Sequence, residues 1–223
     1  MSAPDEVVFL LDCDNTLLNN DLVVADLRSH LTEQFGAASS DRYWEIFETL
    51  RSELGYADYL GALQRYRLER QCDQRLMLMS TFLIEYPFAN RLYPDALAAL
   101  SRLGTLGPTV ILSDGDVVFQ PRKIKQAGLW DAVEGRVLIY IHKERMLEEV
   151  VQRYPARRYV MIDDKLRILA AMKQIWKKRL TTVFPRQGHY AHDPANLAAY
   201  PPADVTIEQI GELATMDLAE LAL

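Results

Sequence analysis

The 223 residues are 49% hydrophobic and carry 31 acidic against 25 Lys and Arg side chains, a formal charge of −6. That is enough apolar material for one sizeable core and a small accessory domain, which excludes a disordered or fibrous chain. The negative charge disfavours general affinity for nucleic-acid phosphates or an anionic membrane surface, so small molecules are the expected partners. Cys13 and Cys72 are the only cysteines; they suggest neither a disulfide framework nor a thiolate zinc site, and suit a reducing cytoplasm. The start, Met-Ser-Ala-Pro-Asp-Glu, has no basic n-region or long h-region, and no stretch approaches the ~20 apolar residues of a membrane span. A cytoplasmic protein is expected.

Val7 to Leu11 is a short apolar run rich in β-branched residues, the pattern of a strand buried on both faces, and it stops at Asp12. The next segment, from about Leu22 to Tyr86, shows no strand. Its apolar residues recur at helical spacing: Val24, Leu27, Leu31 and Phe35, then Tyr43, Phe47, Leu50 and Leu54. Gly36 and Gly55 read as helix stops, and Asp41, Asp58 and Asp73 as helix starts. The spacing predicts a small bundle of about four helices inserted after the first strand.

The strand grammar then returns. Thr109 to Leu112 stops at Ser113, Val137 to Ile141 leads to His142 and Lys143, and Tyr159 to Ile162 stops at Asp163 and Asp164. Helices are predicted between them over Pro94 to Leu103, Pro121 to Ala127 and Glu144 to Tyr154. Two short strands, Thr181 to Phe184 and Asp204 to Ile207, extend the sheet before a C-terminal helix. Alternation of this kind implies an α/β fold with a parallel sheet and right-handed crossovers, whose ligands bind beyond the carboxyl ends of the strands. Every polar residue just named at a strand end gathers there.

The strongest motif is Asp12-Cys13-Asp14-Asn15-Thr16 at the end of the first strand. With Ser113 in Leu112-Ser113-Asp114-Gly115, Lys143 at a helix start, and the pair Asp163-Asp164, it resembles, in order, the four motifs of the haloacid dehalogenase-like (HAD) superfamily. The resemblance implies a Rossmann-like core over residues 1–18 and 88–223, with helices on both sides of the sheet, and a helical C1-type cap over residues 19–87. Asn15 stands where many capped members carry glycine.

The resemblance also implies a chemistry that explains the residue types. Asp12 is the expected nucleophile and Asp14 the expected acid and base, with Asp12, the main-chain carbonyl of Asp14, and Asp164 around Mg²⁺ and Asp163 orienting its waters. Hard cations of that size choose such oxygens. A carboxylate attacking a dianion needs cations and donors to offset repulsion. Ser113 and Lys143 are expected to hold the substrate's oxygens, with main-chain amides around Cys13 to Asn15 adding donors. The expected activity is a Mg²⁺-dependent phosphatase acting on a small phosphorylated metabolite through an aspartyl-phosphate. A phosphomutase and a silent phospholigand-binding domain are the alternatives. Haloacid dehalogenation is a minor one, because a departing halide needs no proton and Asp14 would be superfluous.

Specificity is expected from the inserted helices, where Arg42, Arg51, Tyr56, Tyr59, Arg65 and Arg67 offer donors and ring faces. Asn19, Arg51, Tyr56 and Asp114 are the expected substrate contacts beside Ser113 and Lys143. His189 and His192 follow a strand and sit in a loop that can reach the site; two such histidines read more simply as solvated polar residues than as metal ligands. Lys173, Lys177, Lys178 and Arg179 read as the solvated face of a helix. No Walker loop, dinucleotide fingerprint or serine elbow is present.

Overall fold

A computed structural model describes residues 5–221. The N-terminal Met-Ser-Ala-Pro and residues 222–223, the outer ends of the expected core range, lie outside the described residues. Strand β1 (Asp5–Leu11) is followed by four helices, α1 (Asn20–Phe35), α2 (Ala37–Leu54), α3 (Tyr59–Glu69) and α4 (Arg75–Glu85). Then come α5 (Ala96–Gly104), β2 (Thr109–Asp114), α6 (Phe119–Gln126), α7 (Leu129–Ala132), β3 (Val137–Tyr140), α8 (Leu147–Arg153), β4 (Ala156–Ile162) and α9 (Leu166–Trp176). The chain ends with β5 (Leu180–Pro185), α10 (Gly188–His192), α11 (Pro194–Ala199), β6 (Val205–Ile207) and two 3-10 turns.

The six strands form one parallel sheet in the order β3-β2-β1-β4-β5-β6. The chain builds outward from β1 to β3, then crosses back to place β4 on the other side of β1. That reversal opens a crevice beyond the carboxyl ends of β1, β2 and β4. Along β1, Val7, Phe9 and Leu11 enter one buried cluster while Val8 and Leu10 enter the other. Period-two alternation with both faces covered is why the strand reads as an unbroken apolar run.

The inserted helices share a continuous core with one sheet face. Rings carry it across: Phe47 lies 4.8 Å from Tyr59, Tyr59 5.4 Å from Phe119, and Phe119 5.7 Å from Phe88, each such pair adding ~0.5–1.5 kcal/mol beyond its burial. The chain leaves the sheet layer and returns at one place. Leu18 bridges Leu92 antiparallel, the Asn19 amide donates to the Arg91 carbonyl at 2.7 Å, and the Tyr93 amide to the Leu17 carbonyl at 3.0 Å.

Several boundaries differ from the sequence reading. Gly36 ends α1 at φ 85° and also begins α2, so Asp41 lies inside that helix. Gly55 ends α2 in the left-handed conformation and Asp58 caps α3 from its side chain, as expected. Helix α6 starts two residues before Pro121, which is tolerated because a first-turn amide has no intrahelical acceptor to lose. The helix expected over Glu144 to Tyr154 is divided: a 3-10 turn, Lys143–Arg145, precedes α8. The expected C-terminal helix is instead two 3-10 turns, Ile210–Ala214 and Leu218–Leu221. Among the described residues no helix is long and apolar enough to cross a membrane.

Candidate active site

Strand register brings the acidic residues together. Leu11 pairs with Ile162 and with Ile111, so Asp12 leaves β1 beside Asp163, and Ser113 stands near the end of the β2 ladder on the other flank. Asp12, Ser113, Lys143, Asp163 and Asp164 are all buried. One ligand atom from each of Asp12, Asp163 and Asp164 lies within 4.8 Å of the others. Lys143 donates to Asp12 Oδ1, reaches Asp163 Oδ2 at 2.7 Å, and donates to the Leu112 carbonyl at 3.2 Å.

Burial taxes this crowd of charge. It pushes the Asp164 carboxyl well above its ordinary range, and the neighbouring Asp163 and Asp12 charges add to it against the pull of Lys165. Asp163 is raised too, by burial first, with Lys143 opposing. For Lys143 burial alone would pull the ammonium down, yet Asp12, Asp163 and Asp114 carry it above lysine's ordinary value.

The trio fits a hard cation. Asp12 Oδ2 and both Asp164 oxygens have no hydrogen-bond partner although buried, and carboxylate oxygens are what Mg²⁺ selects. Adding Mg²⁺ to metal-free protein should therefore raise its melting temperature, by about 2.7 kcal/mol of stability at a hundredfold excess over Kd. Differential scanning calorimetry of wild type and of Asp164→Asn checks this; the variant should lose most of the shift.

The sequence-predicted residues divide between roles. Thr16 Oγ accepts from the Asp164 amide at 3.1 Å, fixing the second acid of the pair. Asp114 accepts from the Lys143 amide at 2.8 Å and so holds the turn that carries this lysine, while still lining the cavity. Asn15 adopts φ 59°, a left-handed conformation that glycine takes freely and asparagine tolerates, which accounts for its standing in a glycine position. Its amide is committed to the Leu18 carbonyl, so it is not the free donor expected there. Gly188 has no freedom to change: at φ 69° an added Cβ would sit 2.5 Å from the Asn15 Cβ.

Above the trio a cavity of about 600 Å³ lies between sheet and inserted helices. Asp14, Asp114, Asp164 and Lys165 line it from the sheet, and Trp44, Phe47, Arg51 and Tyr56 from the helices. Arg51 donates to the Tyr190 hydroxyl of α10, closing one side. Asn19 is a correction: its side chain accepts from the Leu22 amide as the cap of α1, and it lines a separate shallow groove rather than the cavity. Arg42 and Arg65 are spent on ion pairs with Glu69 and Glu53. His189 meets Asp21 at 2.6 Å, and among the described residues the only group of three or more acids, histidines or cysteines placed to hold a metal is the aspartate trio. Lys173 is tied to Asp204 and the Leu180 carbonyl rather than simply solvated.

Two residues of α6 were not foreseen. Lys123, almost fully buried, contacts both Asp14 oxygens at 2.8 and 3.0 Å, and Gln120 bridges Asp14 Oδ2 at 3.1 Å and Ser113 Oγ at 3.0 Å. The signal was in the phase of the helix. Phe119 and Ile124 are its apolar face, and Gln120 and Lys123 share that face at a spacing of three.

A family model described as haloacid dehalogenase-like hydrolase matches residues 7–175. A haloacid dehalogenase-like hydrolase from Burkholderia xenovorans LB400 superposes with a TM-score of 0.91 at 72% identity, covering 96% of this chain and all of that one. The HAD-hydrolase YfnB from Bacillus subtilis, bound to magnesium, superposes at 0.62 with 17% identity, covering 98% and 100%. An L-2-haloacid dehalogenase from Xanthobacter autotrophicus with chloropropionic acid covalently bound superposes at 0.58 with 17% identity, covering 93% and 96%. A search of curated sequences finds no match. These structures correct the expectation of a phosphatase: the same fold carries dehalogenases, so the fold does not select a phosphate ester, and demoting dehalogenation was unjustified. At the level that the comparisons support, the chain belongs to the haloacid dehalogenase-like hydrolases.

Proposed function

We propose that the chain is a hydrolase that works through a covalent ester on Asp12, assisted by a divalent cation and acting on a small organic anion. The observation that carries this reading is the state of Asp12. One buried oxygen is anchored by Lys143 while the other has no protein partner, beside a cavity of substrate size. That free oxygen attacks, the leaving group departs with the bonding electrons, and water cleaves the resulting ester to restore the carboxylate. Asp14, at the cavity floor, takes the proton of that water. In the structure both Asp14 oxygens accept hydrogen bonds, the condition of a base.

Ser113 and Lys143 offer donors to the anion's oxygens. Mg²⁺ is the ion we assign to Asp12, Asp163 and Asp164, with the Asp14 side chain turned away toward Lys123; when bound, it offsets the repulsion between Asp12 and an incoming anion. Arg51 and Tyr56 supply outer contacts. We read α1 to α4 as a C1-type cap over residues 19–87 that excludes water from the cavity, with residues 1–18 and 88–223 as the core. The free thiols Cys13 and Cys72 support a reducing cytoplasmic setting.

The test is an assay with and without Mg²⁺ against 2-haloalkanoates and esters of inorganic and organic acids, with mass spectrometry of the quenched protein. The expected result is turnover of at least one class and a mass increase on the peptide containing Asp12. Undiminished turnover by Asp12→Asn would sink the proposal.

A further inference from the structure

Lys123 is a buried cation that the scheme above leaves unused. Its ammonium contacts four groups, each from a different element or loop of the chain. It donates to both oxygens of Asp14 at 2.8 and 3.0 Å, and to Asn20 Oδ1, in the first turn of α1, at 3.0 Å. It also faces the rings of Tyr59 in α3 and Phe119 in α6, 5.9 and 5.5 Å from their centroids. Asn20 in turn donates to the Tyr59 hydroxyl at 3.4 Å.

The cost of this arrangement says that it is specific. A lysine removed from water must be compensated, and here the compensation comes from Asp14, whose side chain is itself only a quarter exposed. A structural ion pair would be equally well served by any acid. This one uses the residue at the cavity floor, and its third bond goes to the point where the chain passes from the sheet into the inserted helices. Gln120, from the same helix, holds Asp14 Oδ2 against Ser113 Oγ. Asp14 is thus gripped from α6 on one side, and the grip is tied to α1 and α3 on the other.

We infer that Lys123 is a positioning residue that aims Asp14 at the reacting water and couples that aim to the seating of the inserted helices through Asn20 and Tyr59. The inference rests on the covalent reading above. If α1 and α3 shift relative to the sheet, Asn20 and the Tyr59 ring move, and Lys123 must re-form its contacts with Asp14 in a different place. The water-activating carboxylate is then correctly directed only when the helices are seated over a substrate.

The test compares Lys123→Met, Asn20→Ala and Asp14→Asn with the combined variants, in the full chain with Mg²⁺ and a substrate from the panel. Methionine keeps an apolar stem against the two rings. Lys123→Met should lower kcat by about a hundredfold with KM changed less than about threefold, because misdirecting a reacting group by an ångström costs that much. The ester on Asp12 should accumulate, since its cleavage is the step that slows. Adding Lys123→Met to Asp14→Asn should cause no further loss. Asn20→Ala, at a partly exposed position, should lower kcat about tenfold with the same accumulation and the same dependence on Asp14; it decides the matter if Lys123→Met does not fold.

Losses that simply multiply with that of Asp14→Asn, or an ester cleaved at the wild-type rate in both variants, would overturn the inference and reduce Lys123 to a packing residue. A wild-type protein that turns over substrate without any ester on Asp12 would instead overturn the covalent reading.

Discussion

Asp12→Asn should abolish turnover, by a factor on the order of 10⁴ or more, while leaving the fold and melting temperature close to wild type. The amide is isosteric, so packing at the end of β1 is kept. Asparagine's Oδ1 still accepts from Lys143, but its NH₂ has no lone pair to offer an electrophile. Removing one charge from a buried trio of acids also relieves repulsion among them. The variant should consequently be no less stable than wild type without Mg²⁺, yet respond less to it. Steady-state kinetics and calorimetry read the two quantities separately. A single turnover of the wild type in ¹⁸O-water adds the site of cleavage. Label in Asp12 means that water attacks the carboxyl carbon, and label in the product means that it attacks the transferred atom.

Lys143→Met should be damaging in both respects. The ammonium is the cation closest to Asp12 and Asp163, and breaking a buried pair by deleting one partner typically costs about 3–5 kcal/mol. The pH dependence gives the mechanism away. Burial already holds the Asp163 and Asp164 carboxyls above the ordinary value of 3.8, while Lys143 pulls both down. Without it they rise further, so the folded variant binds protons that the unfolded chain releases. Stability is then greatest below about pH 3.8 as far as these two groups are concerned, and is lost as pH climbs through their folded values. Urea midpoints measured from acid to neutral pH should diverge from wild type as pH rises, and Mg²⁺ should recover part of the deficit. A deficit independent of pH would mean that Lys143 stabilises by packing alone.

How much of this was legible in the chain follows from what each feature depends on. A strand buried on both faces and ended by a polar residue declares itself locally, so β1, β2 and β4 and the acids at their ends could be read directly. Their convergence needed only the parallel order of the sheet. The contacts of α6 depend instead on which helix face turns inward, and Arg122-Lys123-Ile124-Lys125 reads as a solvated stretch unless Phe119 and Ile124 are used to set the phase. Asn19 was misjudged because capping a helix and binding a ligand ask for the same side chain. The narrowing to phosphate esters failed for a different reason: the motif residues describe an attacking carboxylate and its counter-charges, and those do not name the bond that is broken.

The adjacency of the two linkers at Leu17–Asn19 and Arg91–Tyr93 has a consequence for how such a chain can change. An insertion whose entry and exit touch makes no demand on the spacing of β1 and α5, whatever its own length. The segment between them can thus be lengthened, shortened or exchanged for another without disturbing the sheet. A lineage with this layout can change the helices that line the cavity while leaving the aspartate trio where it is.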